Sequence, residues 1–265
     1  PITGFPAMDA EAKHYYAKWS AANSYTVAYT LNDGTPTGHS ATNPNTVTSY
    51  SVLDPNVTLA PATRTGYDFE GWYENPAFTG SPVTSFSTSD AANKHFYAKW
   101  SAAKSYTVQW SLNDGTPAGH PATNPNTVTS YTVLDADVTV QPAARTGYDF
   151  LGWYDNAALT GTPVTTLHTM DAENKHYYAK WSAAKNYTVQ WNLNDGAPAG
   201  HPASNPNTVT SYTVLDADVT IQPATRTGYT FLGWYDNAGF SGAPVTTLRT
   251  MDAENKQYFA DRKSV

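Results

Sequence analysis

Short runs of apolar and aromatic residues alternate along this chain with longer polar stretches. The clearest run is residues 106–112 (YTVQWSL), where every second side chain is apolar. This two-residue period is typical of a β-strand with one buried face. No segment has the apolar stripe of a helix several turns long, so the pattern predicts a mainly β protein, α+β at most.

The strand pattern recurs at a fixed interval. Residues 145–154 (RTGYDFLGWY) return almost unchanged at 64–73 and 226–235, 81 residues apart in both cases. A period of this size indicates a tandem array. Residues 1–19 align with 163–181, so we expect them to be the C-terminal piece of a truncated repeat. The remaining predicted bounds are linkers 20–24, 101–105 and 182–186 and repeat modules 25–100, 106–181 and 187–265.

The linkers contain neither Gly nor Pro, which predicts short and fairly stiff joints between modules. Inside a module, residues 127–140 predict two short strands around a turn, and 171–174 could form one helical turn. Residues 176–181 predict a closing strand. Residues 116–126 are polar, hold three prolines and predict either an ordered loop or a long hairpin excursion.

The recurring aromatic motif predicts the core of each module. Its four rings are Tyr148, Phe150, Trp153 and Tyr154. Burial of such rings is worth roughly 1.5 to 3 kcal/mol each. Gly147 predicts a tight or left-handed backbone, and Gly152 predicts a bulge or a side chain lying across the bare backbone. The alternative is a cluster of exposed rings that stacks on a ligand.

Composition narrows the function classes. Only 14% of residues are charged and the net charge is −7, which argues against a basic groove for nucleic acid. Cysteine is absent, so disulfides and zinc–thiolate sites are excluded. No run of 18 apolar residues occurs, so we expect no membrane insertion in this fragment and any export signal to lie outside it.

Two sets of histidines recur with the repeats. The first set follows a glycine in the polar loop: His39, His120 and His201. Without acidic or nucleophilic partners at fixed spacing, we interpret these as surface residues of the loop. The second set is His14, His95 and His176, and Gln257 takes its place in the last copy. No activity common to all copies can depend on it.

Other candidate chemistry is sparse. Asp135 and Asp137 could donate oxygens to calcium, but a turn with a local side-chain contact is the favoured interpretation. Lys99 and Lys180 could cross-link to asparagine, although Asp261 replaces them in the last copy. Phosphate loops, nucleophile elbows and paired carboxylates are missing. We therefore predict no catalytic, cofactor-binding or metal residues and expect that the chain is not an enzyme.

The opening YTV strand, the central GYxFxGWY and the closing YAKW together resemble the Listeria-Bacteroides repeat, also called the internalin B-repeat. The matching residues in the first full copy are Tyr25, Gly66, Tyr67, Phe69, Gly71, Trp72, Tyr73, Ala98, Lys99 and Trp100. The resemblance implies small β-grasp-like modules arranged end to end in an extracellular protein of the bacterial cell surface. It also implies an adhesin stalk between an anchor and a distal domain. Residues 116–126 are longer than the family pattern leads us to expect.

The last copy departs from the pattern at its end. Where earlier copies end in a tryptophan, the last copy has Arg262. We hypothesise that Trp19, Trp100 and Trp181 pack against the opening strand of the next repeat and stiffen the array. The equally weighted alternative is that each tryptophan is ordinary core of its own module.

These observations favour a non-catalytic stalk or spacer. The alternative is repeat modules that themselves bind a host glycan or protein through exposed aromatics. A third hypothesis is self-association in trans between stalks on neighbouring cells. We expect a monomer without cofactors or nucleic-acid partners, and host protein or glycan contacts through the parent adhesin.

Overall fold

The structure, a computed structural model, describes residues 3–4, 11–34, 38–115, 119–195 and 201–264. Within these ranges almost all regular structure is β-strand. The helical segments there are three 3₁₀ turns, Thr88–Asp90, Thr169–Asp171 and Thr250–Asp252. The prediction of a mainly β fold is confirmed.

Repeats 1 and 2 contain the same eight strands in the same order. Repeat 1 contains β1 (Ser24–Thr30), β2 (Ala41–Thr42), β3 (Ser49–Ser51), β4 (Val57–Thr58), β5 (Thr63–Arg64), β6 (Phe69–Tyr73), β7 (Ser85–Phe86) and β8 (Lys94–Trp100). Repeat 2 contains β9 (Tyr106–Ser111), β10 (Ala122–Thr123), β11 (Ser130–Tyr131), β12 (Val138–Thr139), β13 (Ala144–Arg145), β14 (Phe150–Tyr154), β15 (Thr166–Leu167) and β16 (Lys175–Trp181). Repeat 3 contains β17 (Tyr187–Asn192), β18 (Ser211–Tyr212), β19 (Val219–Thr220), β20 (Tyr229–Tyr235), β21 (Thr247–Leu248) and β22 (Lys256–Ser264). In repeat 3 the ribbon equivalent to β2/β5 is reduced to a single bridge between Ser204 and Thr225.

Each repeat forms one four-stranded mixed sheet. In repeat 2 the strand order is β11-β9-β16-β14, with a parallel pair, β9 and β16, in the centre and antiparallel strands at both edges. A parallel pair requires a crossover connection, which is usually a helix. Here the described part of the crossover has no α-helix and includes two two-stranded ribbons, β10/β13 and β12/β15. Three sheet units in tandem are confirmed, whereas the grasp-like detail stays a prediction.

The core of repeat 2 lies on one face of this sheet. Alternation along β16 turns Tyr177 and Ala179 inward, where they pack with Val108 of β9, Trp153 of β14 and Leu167 of β15. Repeats 1 and 3 each have an equivalent cluster of their own. Every repeat therefore buries its apolar face within itself.

The aromatic motif contributes fewer rings to this core than its sequence predicts. Phe150 and Trp153 belong to the cluster. Tyr154 is buried outside the cluster, with the ammonium group of Lys180 5.0 Å from its ring centre. Tyr148 is half-buried and lies outside the cluster. The core prediction is therefore wrong for Tyr148, whose ring is engaged by an arginine instead.

The chain divides into two compact units, residues 1–104 and 105–265. The first unit contains repeat 1 and the second contains repeats 2 and 3. Residues 116–118 of the polar loop lie outside the described ranges, and the described remainder of that loop includes β10.

Candidate functional site

An arginine opens the aromatic motif and ties it to the polar loop. In repeat 2 the Nε of Arg145 donates to the carbonyl of His120 at 2.9 Å, and its Nη2 donates to the carbonyl of Asp114 at 3.2 Å. The guanidinium lies 4.2 Å from the ring centre of Tyr148. Arg64 and Arg226 make the same stacking contact in repeats 1 and 3. The tyrosine thus supports a buried cation.

The loop histidines do not all lie at the surface. His39 and His120 are only 8% exposed, and their rings pack edge-on against Tyr67 and Tyr148. The surface interpretation is wrong for these two, because the arginine that binds their carbonyls draws the loop against the motif. His201, in repeat 3, is exposed as expected.

The second histidine set lies on the outer face of the sheet. His176 stacks on Tyr178 with ring centres 4.1 Å apart, and its Nε2 lies 2.8 Å from the Oγ of Ser111. His95 has the corresponding contacts with Tyr97 and Thr30, and His14 is exposed. Gln257 occupies the position in repeat 3, so the serine–histidine contact is not shared by all copies.

Asp135 closes a local turn, as the sequence predicts, whereas Asp137 binds a distant segment of the same repeat. The Oδ2 of Asp135 accepts from the Thr132 amide at 2.7 Å. The Oδ1 of Asp137 accepts from the Thr169 amide at 2.9 Å, and its Oδ2 lies 2.6 Å from the Nδ1 of His168. The Thr169 amide, followed by His168, lowers the pKa of Asp137. In the described ranges, no group of three or more His, Cys, Asp or Glu could hold a metal ion.

A polar cleft recurs beside the start of the closing strand. It measures about 450 Å³ in repeat 2, next to Lys175, and about 390 Å³ in repeat 3, next to Lys256. Lys175 Nζ contacts carboxylate oxygens of Asp171 and Glu173 at 2.6 and 2.7 Å. Burial lowers the pKa of Lys175, but hydrogen bonds to both carboxylates raise it by more. The two carboxylates therefore hold the lysine in its charged form and leave the trio with one net negative charge.

The two lysines considered for cross-linking lie on the closing strands and have other partners. Lys99 pairs with Glu70 at 2.9 Å, and Lys180 donates to the carbonyl of Leu159 at 3.1 Å. Neither contact involves an asparagine side chain.

The tryptophans predicted at the joints have contacts within their own repeats. The indole Nε1 of Trp100 donates to Leu31, and that of Trp181 donates to Leu112, each at 2.7 Å. Both rings also pack edge-on against the phenylalanine of their own motif. Trp19 is 86% exposed, so it does not pack against β1. Packing of Trp100 and Trp181 across a joint stays a prediction.

The linker after repeat 2 is bound to that repeat. The amide of Ser182 donates to the Asp149 carbonyl at 2.9 Å, and the amide of Lys185 donates to the Gly147 carbonyl at 2.8 Å. The ammonium group of Lys185 also lies 3.0 Å from Asp149 Oδ1. The linker therefore has a defined path.

Repeat 3 contacts repeat 2 through a valine and a glycine. A Cβ placed on Gly147 would lie 2.5 Å from the Cγ2 of Val214. Val214 is 2% exposed although it is not part of its own repeat's core cluster. Gly147 has φ +79°, which confirms the predicted left-handed backbone. Only a residue without a side chain lets the valine approach this closely.

Comparison with known families agrees with the three sheet units. The model of the Listeria-Bacteroides repeat domain matches residues 25–99, 106–180 and 187–260. The chain belongs to the Listeria-Bacteroides repeat family.

Two curated relatives of this Listeria-Bacteroides repeat chain come from Evansella cellulosilytica. One, named "Putative membrane protein", is 29% identical over 242 residues, covering 88% of this chain and 32% of the relative. The other, named "Putative Gly-rich membrane protein", is 26% identical and covers 87% of this chain and 23% of the relative. The chain thus spans a third or less of these relatives. No solved structure matches it at a significant level.

Listeria-Bacteroides repeats are typical of surface proteins. Of the helices in the described ranges, none has the length and apolar character required to cross a bilayer.

Sequence reasoning missed the valine of this joint. Val214 precedes an exposed Leu-Asp turn, and the same order of residues occurs at Val52. Because Val214 alternates with buried Tyr212, the strand pattern predicts only that Val214 is another core side chain. The sequence signal was the recurrence of this valine and of Gly147 at the same place in each copy, but recurrence does not show that the two residues meet.

Proposed function

We propose that these repeats are non-catalytic spacer modules of a bacterial cell-surface adhesin, which hold a distal domain away from the cell. The observation that carries this proposal is the joint between repeats 2 and 3, in which Val214 lies against Gly147 and the linker is hydrogen-bonded to repeat 2. Joints of this kind make length additive, because each added repeat has a fixed position relative to its neighbour.

The separate cores support the same function. Each repeat has its own apolar cluster. A further copy can therefore be added without any change to the core residues of the existing repeats. Repetition favours reach over catalysis, since a reaction needs one site whereas length grows with the number of copies.

Binding through exposed aromatic rings receives less support. Trp72, Trp153 and Trp234 are almost completely buried, and their indole groups donate to carbonyls of their own repeats. Such rings are not available to stack on a glycan.

Small-angle X-ray scattering of the chain tests the spacer proposal. A module of about 80 residues spans roughly 30 Å, so three modules arranged end to end should give a maximum dimension on the order of 100 Å. A maximum dimension close to that of a single globule of the same mass would contradict the proposal.

A further inference from the structure

A buried tyrosine without a hydrogen-bonding partner lines the polar cleft of repeat 2. The ring of Tyr177 belongs to the core of that repeat, and its side chain also lines the cleft. Tyr177 is only 2% exposed, yet no residue in the described part of the chain hydrogen-bonds to its hydroxyl group. Buried phenols normally have such a partner. The hydroxyl group is therefore available to a molecule that enters the cleft.

Negative charge lies around this hydroxyl group. Burial is the main cause that raises the pKa of Tyr177 to about 12, and the nearby carboxylates of Asp171 and Asp155 raise it further. Asp171 and Glu173 share Lys175. Asp155 has no ion pair among the described residues, and its Oδ1 accepts from the neutral side-chain amide of the next residue at 2.9 Å. Three carboxylates and one lysine thus leave the cleft with a net negative charge.

Repeat 3 contains the same arrangement. Tyr258 is 2% exposed and lines a cleft of about 390 Å³, and its hydroxyl group has no hydrogen-bonding partner in the described ranges. Asp236 corresponds to Asp155, and Lys256 is again shared by two carboxylates. Arg249 replaces His168, so the negative charge is smaller here. The residues that line each cleft all belong to one repeat, so neither cleft depends on a neighbouring copy.

Repeat 1 lacks the two groups that define this site. Phe96 takes the place of Tyr177, and Ala92 takes the place of Glu173. Lys94 lies 4.0 Å from Glu74, which is the counterpart of Asp155. Repeat 1 therefore has neither the free hydroxyl group nor the uncompensated carboxylate, and it is a control within the same chain.

We propose that the clefts of repeats 2 and 3 bind the protonated primary amine of a small polar molecule. An ammonium group has three N–H donors. In repeat 2 it donates to the hydroxyl oxygen of Tyr177 and to the carboxylates of Asp155 and Glu173, and it offsets their negative charge. An uncharged alcohol can form hydrogen bonds there but leaves the charge uncompensated. This inference does not rest on the spacer function, because the residues of the cleft are not those of the joint.

An NMR titration of the whole chain, with amide signals assigned to each repeat, tests the proposal. The amines are glucosamine and diaminopentane, and their uncharged counterparts are glucose and pentanediol. We expect both amines to shift signals of residues 162–177 and 245–258 saturably, with at least threefold weaker binding of the uncharged counterparts. Binding of only one amine would show that the body carrying the ammonium group is also recognised. No saturable shift with either amine, or equal binding of the counterparts, would overturn the proposal.

Variants separate recognition in the cleft from attraction to the net charge of −7. Tyr177→Phe removes one hydrogen bond and should raise the Kd of repeat 2 for the amines about fivefold. Phe96 shows that the fold accepts a phenylalanine at this position. Asp155→Asn should raise the same Kd about threefold.

Neither variant should change the affinity of repeat 3, and repeat 1 should give no saturable shift. An unchanged affinity of repeat 2 in Tyr177→Phe would refute the assignment of the site. So would an equal loss at repeat 3 in Asp155→Asn, or binding to repeat 1 as tight as to repeat 2.

Discussion

Pro163 lies directly against the bare backbone of Gly152. A Cβ placed on Gly152 would come within 2.6 Å of the Cβ of Pro163, and the glycine has φ +130°. The pairing of β14 with β16 shifts register at this glycine. Both features predicted from a glycine inside a strand pattern, a bulge and a close approach, therefore occur together.

Gly152→Ala should destabilise repeat 2 by about 2–4 kcal/mol, because the methyl group would strain the backbone and also displace the proline. The measurement is urea unfolding followed by repeat-resolved hydrogen exchange. Gly161→Ala is the control: Gly161 has φ +89° but nothing within 4 Å of its Cβ position. It should cost only the backbone strain, about 1–2 kcal/mol. Equal losses in the two variants would show that Pro163 is not the obstacle.

Trp153→Ala should remove the most deeply buried indole ring from the core of repeat 2. The side chain is 1% exposed and donates to the Gln141 carbonyl at 2.8 Å. Truncation should cost about 3–5 kcal/mol, enough to unfold a module this small. Hydrogen exchange should show lost protection in repeat 2 and retained protection in repeat 1, which has a separate core. Leu151→Ala, at a 46% exposed neighbour, should change stability by less than about 0.5 kcal/mol. Coincident loss in repeats 1 and 2 would contradict independent cores.

Alkaline pH should destabilise repeats 2 and 3. Burial raises the pKa of the Tyr177 and Tyr258 phenols to about 12, whereas an unfolded tyrosine titrates near its ordinary value of about 10. The folded state thus favours the neutral phenol. The stability that comes from keeping these two phenols neutral is complete below pH ~10 and is lost as the pH rises toward ~12.

In repeat 1 Phe96 occupies the same position without a hydroxyl group, but burial also raises the pKa of Tyr29 in that repeat. The control for this titration is therefore the variant Tyr177→Phe. Absorbance at the tyrosinate band should show a late component near pH 12 that shrinks in Tyr177→Phe. A late component of undiminished size in Tyr177→Phe would show that its source is a different phenol.

Val214→Asp should separate repeats 2 and 3 without unfolding repeat 3. The valine is buried against Gly147 but lies outside the core cluster of its own repeat, so a carboxylate there opposes docking and leaves the core intact. Residual dipolar couplings should fit one alignment tensor for repeats 2 and 3 in the parent chain and two tensors in the variant. Val52→Asp, at an exposed position, should keep the single tensor. One shared tensor in Val214→Asp would show that other contacts hold the joint.

The sequence by itself determined the fold class and most of the internal pattern. Period-two alternation located the opening and closing strands, and the 81-residue interval located the copies. These signals are local, since alternation depends only on which face of a strand is buried. The turn at Asp135 was equally predictable, because its side chain binds an amide only three residues away.

Only the tertiary structure decided which residues each aromatic side chain packs against. Tyr148 follows the same alternation as Phe150, yet it lies beneath the guanidinium of Arg145, and His120 is buried beside it. The joint between repeats 2 and 3 was also decided there, because Val214 and Gly147 are 67 residues apart in the sequence and meet only after both modules have formed. Periodicity specifies the face of a strand that is buried, but the partner on that face is set by packing between distant segments.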